Sequence, residues 1–381
     1  MKHVYLDNAA TTPMAPEVIA KMTTTMQNVF GNASTPNYYG RQARNILDQA
    51  RSTIAQSIHA QPAEIVFTSG GSEGDNNAII STALARQHLG KHIITTSIEH
   101  EAVLKPLQYL ESQGFEITYL PVDKYGQIKV ADVQKALRSD TILVSIMMVN
   151  NEIGVINPIQ EIGELLQNHQ AVFHTDAVQG YGSQDIDVQD LKVDLLTTSA
   201  HKLNGPKMMG FLYERKDLNI PPLIRGGDQE TKRRAGTENI PAIAGFAQAV
   251  ELNSPSEKRQ TNERLASYKQ LLVQLLQQNQ VDFQINGPQL EQAAPNILNL
   301  WLPEWETSIL QIKLDLAGFI VSGGSACTAG SLEPSHVLQA MFGHSSPRIN
   351  ESIRISFNKY TQKDDILKFA RALTQIVQQN S

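Results

Sequence analysis

The feature that most constrains the fold is an alternation of short apolar runs with amphipathic helical stretches through the first two-thirds of the chain. Apolar runs without polar alternation are typical of strands that are covered on both faces. We predict seven such strands: EIVFTSG, KHIITTS, FEITYLPV, TILVSIMMV, AVFHTDAV, VDLLTTSAH and MGFLYER. Helices are predicted between them, including 72–89 and 158–169, the second with Pro158 in its first turn. The pattern predicts a doubly wound, mostly parallel α/β sheet, which binds ligands at the carboxyl ends of its strands.

The residue pattern of the sequence changes near residue 255. A Pro/Ser break there begins a long polar stretch predicted to be helical, and shorter β-rich runs follow it. We expect a large domain over 15–255 and a smaller α+β C-terminal domain over 256–381. The segment 1–14 precedes the first helix and could pack with either domain, near the active site. A chain of 381 residues with 41% hydrophobic residues can bury two cores of this kind.

Charge and hydropathy exclude several classes of function. The formal net charge of −6 gives no basic field for a phosphate backbone, so we expect no direct nucleic-acid partner. No window approaches 18 uninterrupted apolar residues, and the N-terminus reaches Asp7 before an apolar signal core develops. The sequence therefore predicts a soluble, cytoplasmic protein without a membrane partner.

Two predicted strands end in residues that suit a carbonyl cofactor. VDLLTTSAHKLNGPK presents Ser199, His201 and Lys202 at once after an apolar run. A lysine held in a cleft can lose its charge and form an imine, although a surface lysine in a turn is the alternative. AVFHTDAVQG ends with Asp176 and Gln179, and a buried carboxylate there needs a cationic partner unless it caps a helix. The ring nitrogen of pyridoxal phosphate is such a partner, and the aldehyde of the same cofactor would occupy the lysine.

Three further strand ends carry polar residues. VFTSGGSEGDN runs into a helix, so that Gly71 and Ser72 can face a phosphate at the positive helix end, although Gly-Gly-Ser is also ordinary helix-entry sequence. KHIITTSIEHEAV delivers His100, and TILVSIMMVNNEIG delivers Asn150 and Asn151, each unremarkable by itself. Five such strand ends are improbable as independent accidents, and together they predict one site.

The chain has a single cysteine, Cys327, within SGGSACTAGS. One cysteine forms no internal disulfide and no four-ligand metal site, so we expect no metal. A free cysteine usually packs as a small buried hydrophobe, yet this one lies among Gly323, Gly324 and Gly330. Such a glycine-rich stretch can serve as a flexible tether for a reactive thiol.

Ten stretches, in this order, resemble the cysteine desulfurases, a family of class V aminotransferases among the fold type I pyridoxal-phosphate enzymes. They are YLDNAATTP, FGNAS, TSGGSEGDNNA, EHEAV, NNEIG, DAVQ, SAHK, GTEN, GSACTAGSLEPSHVL and IRIS. The resemblance runs from residue 5 to beyond 356 and covers essentially the whole chain. The SACTAGSLEPSHVL stretch is similar to the subgroup with an extended catalytic loop, which usually hands sulfur directly to partner proteins.

The resemblance implies how pyridoxal phosphate is bound. Lys202 would form the imine, Asp176 would bind the ring nitrogen, Gln179 the phenolate oxygen, and His100 would stack on the ring. The phosphate would be held at the helix start and by residues after the lysine strand, namely Gly71, Ser72, Ser199 and His201. Thr237 would reach the phosphate from a second subunit, which implies a homodimer with shared active sites.

The resemblance also implies the reaction, in which L-cysteine becomes L-alanine and Cys327 receives the sulfur as a persulfide. Asn151, beside the cofactor, and Arg354 would hold the substrate carboxylate, a task that suits the guanidinium fork. His100 is the candidate for deprotonating the thiol. The sulfur acceptor would be an iron–sulfur scaffold protein or a tRNA-thiolating enzyme.

Other readings compete with this one. A selenocysteine lyase or a class V aminotransferase would use the same cofactor, although an aminotransferase has no use for a loop thiol. A non-catalytic scaffold in sulfur trafficking would be expected to have lost Lys202 or Cys327, and both are present. The chain also departs from the family pattern at Met208 and Met209, which we expect to pack in the core, and at Asn37, where relatives often have histidine.

Overall fold

The computed structural model describes residues 3–323 and 334–378, and its elements follow the alternation seen in the sequence. The strands are β1 (Val4–Tyr5), β2 (Ile65–Thr68), β3 (His92–Thr96), β4 (Glu116–Leu120), β5 (Thr141–Ser145), β6 (Val172–Asp176), β7 (Leu195–Thr197), β8 (Gly210–Glu214), β9 (Gln284–Asn286), β10 (Ile297–Trp301), β11 (Phe319–Ile320) and β12 (Ser352–Ser356). The α-helices are α1 (Pro16–Asn28), α2 (Tyr38–Ser57), α3 (Gly71–Asn76), α4 (Thr82–Arg86), α5 (Glu101–Ser112), α6 (Val130–Ala136), α7 (Ile159–Leu166), α8 (Val188–Leu191), α9 (Ile240–Glu251), α10 (Pro255–Gln278), α11 (Thr307–Leu316), α12 (His336–Phe342) and α13 (Lys363–Gln378).

Seven strands form one sheet in the order β2-β8-β7-β6-β5-β3-β4. The pairs from β7 through β6, β5 and β3 to β4 are parallel, whereas β8 is antiparallel to both of its neighbours. This arrangement confirms the predicted mostly parallel α/β sheet.

Adjacent residues along the central strands enter different hydrophobic clusters. Ile94 and Phe173 pack with residues of α2 and α9, whereas Ile93 and Val172 pack with residues of α5. Both faces of the sheet are therefore covered by helices, which explains why these strands read as continuous apolar runs.

The predicted helix over 72–89 is present but is not uniform. It begins as α3, passes through one π-helical segment (Asn77–Ser81) and ends as α4 at Arg86. The helix predicted over 158–169 is shorter, since α7 covers Ile159–Leu166 and Pro158 is its N-cap residue.

A second hydrophobic cluster lies around a three-stranded antiparallel sheet of order β12-β10-β9. Its buried members come from residues 265–377 and from Leu6. The first cluster draws instead on residues between Ala15 and Val250, with Ala294 added from the later part of the chain. α10 begins at Pro255, where the composition changes, and the domain bounds 15–255 and 256–381 remain predictions.

The N-terminal segment contacts both groups of elements. β1 pairs in parallel with β11, and the Ala9 amide donates to the Ser356 hydroxyl at 2.8 Å. The Thr12 amide donates to the His201 carbonyl at 3.0 Å. The segment thus ties the smaller sheet to the loop that follows β7.

The prediction that Met208 and Met209 both pack in the core is wrong for Met208. Met209 is buried, but Met208 is 74% exposed. Met208 has φ of +54° in the turn that precedes β8, and this turn points its side chain away from the core. In the described residues 3–323 and 334–378, no helix has the length and apolar character needed to cross a membrane.

Candidate active site

A cavity of about 1080 Å³ lies at the carboxyl ends of the parallel strands. Parallel strands deliver the residues that follow them to the same edge of the sheet, so residues distant in sequence meet there. The cavity wall includes most of the predicted site residues, namely Gly71, Ser72, His100, Asn151, Asp176, Gln179, Ser199, His201 and Lys202.

Lys202 ends a short 3₁₀ turn (Ala200–Lys202) that follows β7. Its Nζ atom donates to the carbonyl of Ala9 at 2.5 Å and to that of Ala10 at 2.9 Å. The Gln179 side-chain amide donates to the same Ala9 carbonyl at 2.9 Å. The N-terminal segment therefore orients both side chains, a role that sequence reasoning missed because backbone carbonyls leave no side-chain signal.

Asp176 is the last residue of β6 and is only 5% exposed. Its Oδ1 atom accepts a hydrogen bond from the Val178 amide at 2.8 Å. Burial, together with the neighbouring carboxylate of Asp75, raises the pKa of Asp176 to about 7. A carboxylate in such a buried position needs a nearby cationic group to stay ionised. A protonated pyridine nitrogen is a cationic group of this kind.

The turn into α3 has the shape of an anion cradle. Gly70 has φ of +141°, which side chains other than glycine rarely adopt, and a Cβ atom on Gly71 would lie 2.8 Å from Val178 Cγ2. Ser199 lies beside this turn and is buried. The backbone amides at the start of the helical run 71–86 and the Ser199 hydroxyl form a set of hydrogen-bond donors that suits a phosphate.

The two cavity histidines differ in environment. Burial lowers the pKa of His201 to about 4, with the Lys202 charge adding to the effect, so its ring is neutral at pH 7. His100 is the N-cap residue of α5, and its Nδ1 atom accepts from the Ala102 amide at 3.1 Å. A neutral His100 therefore carries its proton on Nε2.

Two predicted site residues that the structure describes, Arg354 and Thr237, are not part of the cavity wall. Arg354 is buried in β12, where its Nη2 atom lies 2.8 Å from Asp7 Oδ1 and its Nη1 atom donates to the Asn151 carbonyl at 2.9 Å. Thr237 is exposed, beyond the wall of the cavity. Cys327 lies outside the described residues.

Sequence reasoning missed four charged residues of the wall, namely Asp75, Glu101, Lys105 and Arg225. Asp75 follows Gly71 by four positions, so helical periodicity places the two on one face of α3. That spacing could have indicated Asp75 from the sequence. No comparable pattern marks Arg225, which lies in the loop after β8.

The described residues fit pyridoxal phosphate. The wall combines the Lys202 amine, the buried Asp176 carboxylate and a helix start that glycines keep open. These are partners for an aldehyde, a protonated ring nitrogen and a phosphate, respectively.

Comparisons with known proteins agree with this chemistry. The family model for class-V aminotransferases matches residues 4–369. A relative from Bacillus subtilis (strain 168) is 50% identical over 377 residues, which cover 99% of each chain. A protein of Dictyoglomus turgidum (strain DSM 6724 / Z-1310) named cysteine desulfurase IscS is 45% identical over 99% of this chain and 95% of its own length.

Solved structures give the same result. One titled NifS-like protein superposes with a TM-score of 0.91 at 34% identity and covers 99% of both chains. Another, titled SspA in complex with cysteine, has a TM-score of 0.82 at 37% identity and covers 94% of this chain and 99% of its own. The chain therefore belongs to the class-V aminotransferase family and, within it, to the pyridoxal-phosphate-dependent cysteine desulfurases.

Proposed function

We propose that the protein converts L-cysteine to L-alanine and carries the released sulfur as a persulfide on Cys327. The observation that carries the proposal is the meeting of the Lys202 amine, the Asp176 carboxylate and the α3 start in one cavity. This set occurs in a chain that aligns over nearly its whole length with cysteine desulfurases.

Pyridoxal phosphate, when bound, withdraws electrons from the Cα atom of an amino-acid substrate. The chain's own residues hold and orient the reacting groups. Lys202 Nζ is kept at the cavity wall by two backbone carbonyls, which supports its assignment as the amine that binds the aldehyde. Gln179, tied to the same Ala9 carbonyl, is assigned to the phenolate oxygen.

His100 is the proposed acid–base residue. Its Nδ1 atom accepts from the Ala102 amide, so a neutral ring carries its proton on Nε2 and can donate it there. The proposal assigns to His100 the proton that leaves the Cys327 thiol, because the thiolate is the reactive form of cysteine, and a neutral ring takes up that proton at Nδ1 in exchange for the Ala102 hydrogen bond.

Asn151 and Arg354 are the proposed partners of the substrate carboxylate. The Asn151 side chain borders the cavity, and its backbone carbonyl is bonded to Arg354. Within the part of the chain that the structure describes, the buried Arg354 Nε atom has no hydrogen-bond partner. A carboxylate could use this donor without displacing the Asp7 pair.

The net step conserves atoms and electrons. The Cβ–S bond of L-cysteine breaks, an S–S bond to the Cys327 sulfur forms, and the thiol proton ends on the carbon skeleton as alanine. A later transfer delivers the outer sulfur to an acceptor protein, which we propose to be an iron–sulfur scaffold or a tRNA-thiolating enzyme. We further propose that the enzyme is a cytoplasmic homodimer in which Thr237 completes the second subunit's phosphate site.

The test is to incubate the holoenzyme with L-cysteine and determine the mass of the peptide that contains Cys327. We expect one added sulfur atom on that peptide and release of alanine. Cys327→Ala should bind the cofactor normally and release almost no alanine, because the chain has no other cysteine. Ser325→Ala, two positions before Cys327 in the sequence, is the matched control and should keep both products. A keto acid in place of alanine and persulfide would instead identify an aminotransferase.

A further inference from the structure

A second buried carboxylate, Asp75, lies in the same cavity wall as Asp176. Asp75 belongs to α3, is 1% exposed and borders the cavity together with Asp176. Within residues 3–323 and 334–378, its Oδ1 atom has no hydrogen-bond partner. An ionised carboxylate oxygen in that condition is costly, so the charge of Asp75 needs an explanation.

The His174 side chain of β6 lies near that oxygen. Its Nε2 atom is 3.5 Å from Asp75 Oδ1 and 3.0 Å from the Thr197 hydroxyl, while its Nδ1 atom is 2.9 Å from the Ser145 hydroxyl. Complete burial lowers the pKa of His174 to about 4. His174 is therefore a neutral hydrogen-bonding residue and brings no positive charge to Asp75.

The other charged groups near Asp75 come from each element around it. Asp176 ends β6, Glu99 and His100 lie between β3 and α5, and Glu73 lies on α3 itself. Glu73 is paired with Arg234 at 2.9 Å, whereas Asp75, Asp176 and Glu99 have no arginine partner among the described residues. Two carboxylates that share a buried site do not both ionise near neutral pH.

The hydrogen-bond donors decide which of Asp75 and Asp176 keeps the proton. Asp176 accepts the Val178 amide and opens onto the cavity, where a cationic ring nitrogen would bind. A charge on His100 would lower the pKa of both Asp75 and Asp176. Asp75 faces the neutral His174 and accepts from the Thr197 hydroxyl. Asp176 is therefore the better site for the charge.

We propose that Asp75 is a protonated carboxylic acid that holds the proton shared by the two carboxylates and so leaves Asp176 as the anion opposite the cofactor ring. Asp75 is thus a positioning residue that acts through Asp176, and the inference rests on the proposed role of Asp176. Burial raises the pKa of Asp75 to about 7, the same value as for Asp176, so the hydrogen-bond geometry and not the pKa assigns the proton to Asp75.

The first test is infrared spectroscopy of the holoenzyme with isotopically labelled aspartate. The pH is kept at roughly 6.5–7, so that it does not exceed the raised pKa of Asp75. The wild type should show the carbonyl stretch of a protonated aspartic acid, and Asp75→Asn should lose it. Glu99→Gln is the matched control and should keep the labelled band, although burial also raises the pKa of Glu99 to about 8. A wild-type spectrum without a protonated aspartate overturns the proposal even if the variant fails to fold.

The second test is the unfolding midpoint of wild type and Asp75→Asn between about pH 4 and pH 8. The folded-state pKa of Asp75 lies above its unfolded value, so its folded carboxyl keeps a proton that the unfolded chain releases as pH rises. The stability of the wild type therefore falls progressively above about pH 4 as Asp75 tends to ionise. The stability of Asp75→Asn does not fall for this reason, because asparagine does not ionise. We expect the midpoint difference to grow in favour of Asp75→Asn as pH rises. A difference that shifts toward the wild type with rising pH would show that Asp75 is a stabilised anion and would overturn the proposal.

Asp176→Asn separates this inference from the proposed function. If Asp176 binds the ring nitrogen, this variant should bind pyridoxal phosphate at least tenfold more weakly, roughly the effect of losing one charged hydrogen bond. Unchanged affinity would refute the role of Asp176, yet the infrared band could still identify Asp75 as the protonated acid. Loss of affinity without that band would leave the proposed function intact and refute the inference.

Discussion

The role of Lys202 can be predicted from the sequence, but the orientation of its side chain is known only from the structure. Its position after a buried strand predicts a reactive amine, but the carbonyls of Ala9 and Ala10 that orient it come from the other end of the chain. Those contacts fix the direction of Nζ, which the strand end alone does not determine.

Lys202→Ala should abolish covalent attachment of the cofactor, because the amine is removed from the cavity wall. The purified variant should lack the visible absorbance of the bound cofactor, and borohydride should attach no cofactor to the protein. Lys207→Ala, an exposed lysine five positions later, should keep both signals. A borohydride-reducible cofactor in Lys202→Ala would assign the amine to another residue.

The sequence predicts the strand-end residues well because the geometry of a parallel sheet brings them together. Asp176, Gln179 and Lys202 needed only that rule. Asp75 was missed because an acid inside a helix entry looks solvated until the packing of β6 and β7 against α3 is known. Arg354 was identified by resemblance, and its pairing with Asp7 joins residues almost a full chain apart, which no local pattern reveals.

At the scale of elements, the 3₁₀ turn Gln229–Lys232 lies in the loop that leads to Thr237. Glu230, Thr231 and Lys232 all have positive φ, a conformation that costs roughly 1–3 kcal/mol for each such residue. Glu230 is buried and paired with Arg51 of α2 at 2.7 Å, and it accepts the Phe67 amide at 2.9 Å. This buried pair holds the strained turn against the central sheet.

Arg51→Ala should destabilise the protein by about 3–5 kcal/mol, because it leaves Glu230 as a buried, unpaired charge. Arg44→Ala on the same helix is the control. Its partner Asp48 is half exposed, and surface pairs of this kind contribute about 0–1 kcal/mol. Urea unfolding of the two variants measures the difference, and equal losses would show that the Glu230 pair does not hold the turn.

Element boundaries were less predictable than element types. The sequence predicts a single helix after Gly71, but the chain inserts a π-helical segment at Asn77–Ser81. That insertion depends on how Ala78 and Ile79 pack against the sheet, which is a tertiary effect. The three positive φ angles within Gln229–Lys232 were likewise not predictable, because none of these residues is a glycine.

At the scale of the whole molecule, the open question is the sharing of sites between subunits. Thr237 is exposed and lies beyond the wall of its own chain's cavity. This position agrees with the proposal that Thr237 contacts the phosphate of a second subunit.

Mixing Lys202→Ala protomers with Thr237→Ala protomers tests this sharing. If the sites are composite, the heterodimer has one site with both lesions and one intact site, so activity and cofactor affinity should return to about half of wild type for each heterodimer. Each parent homodimer should remain impaired. No recovery in purified heterodimers would place Thr237 in its own chain's site, and an unimpaired Thr237→Ala homodimer would place it outside any site.

The N-terminal segment has a consequence for biosynthesis. Ala9 bonds Ser356 through its amide and Lys202 through its carbonyl, so the strand that carries Ser356 anchors the segment that orients the lysine. A ribosome adds about 5–20 residues per second, so Ala9 waits tens of seconds for its β12 partner to be translated. The large sheet can form during that interval, whereas the anchored form of the site must wait. Loading of the cofactor is therefore expected to follow translation of β12.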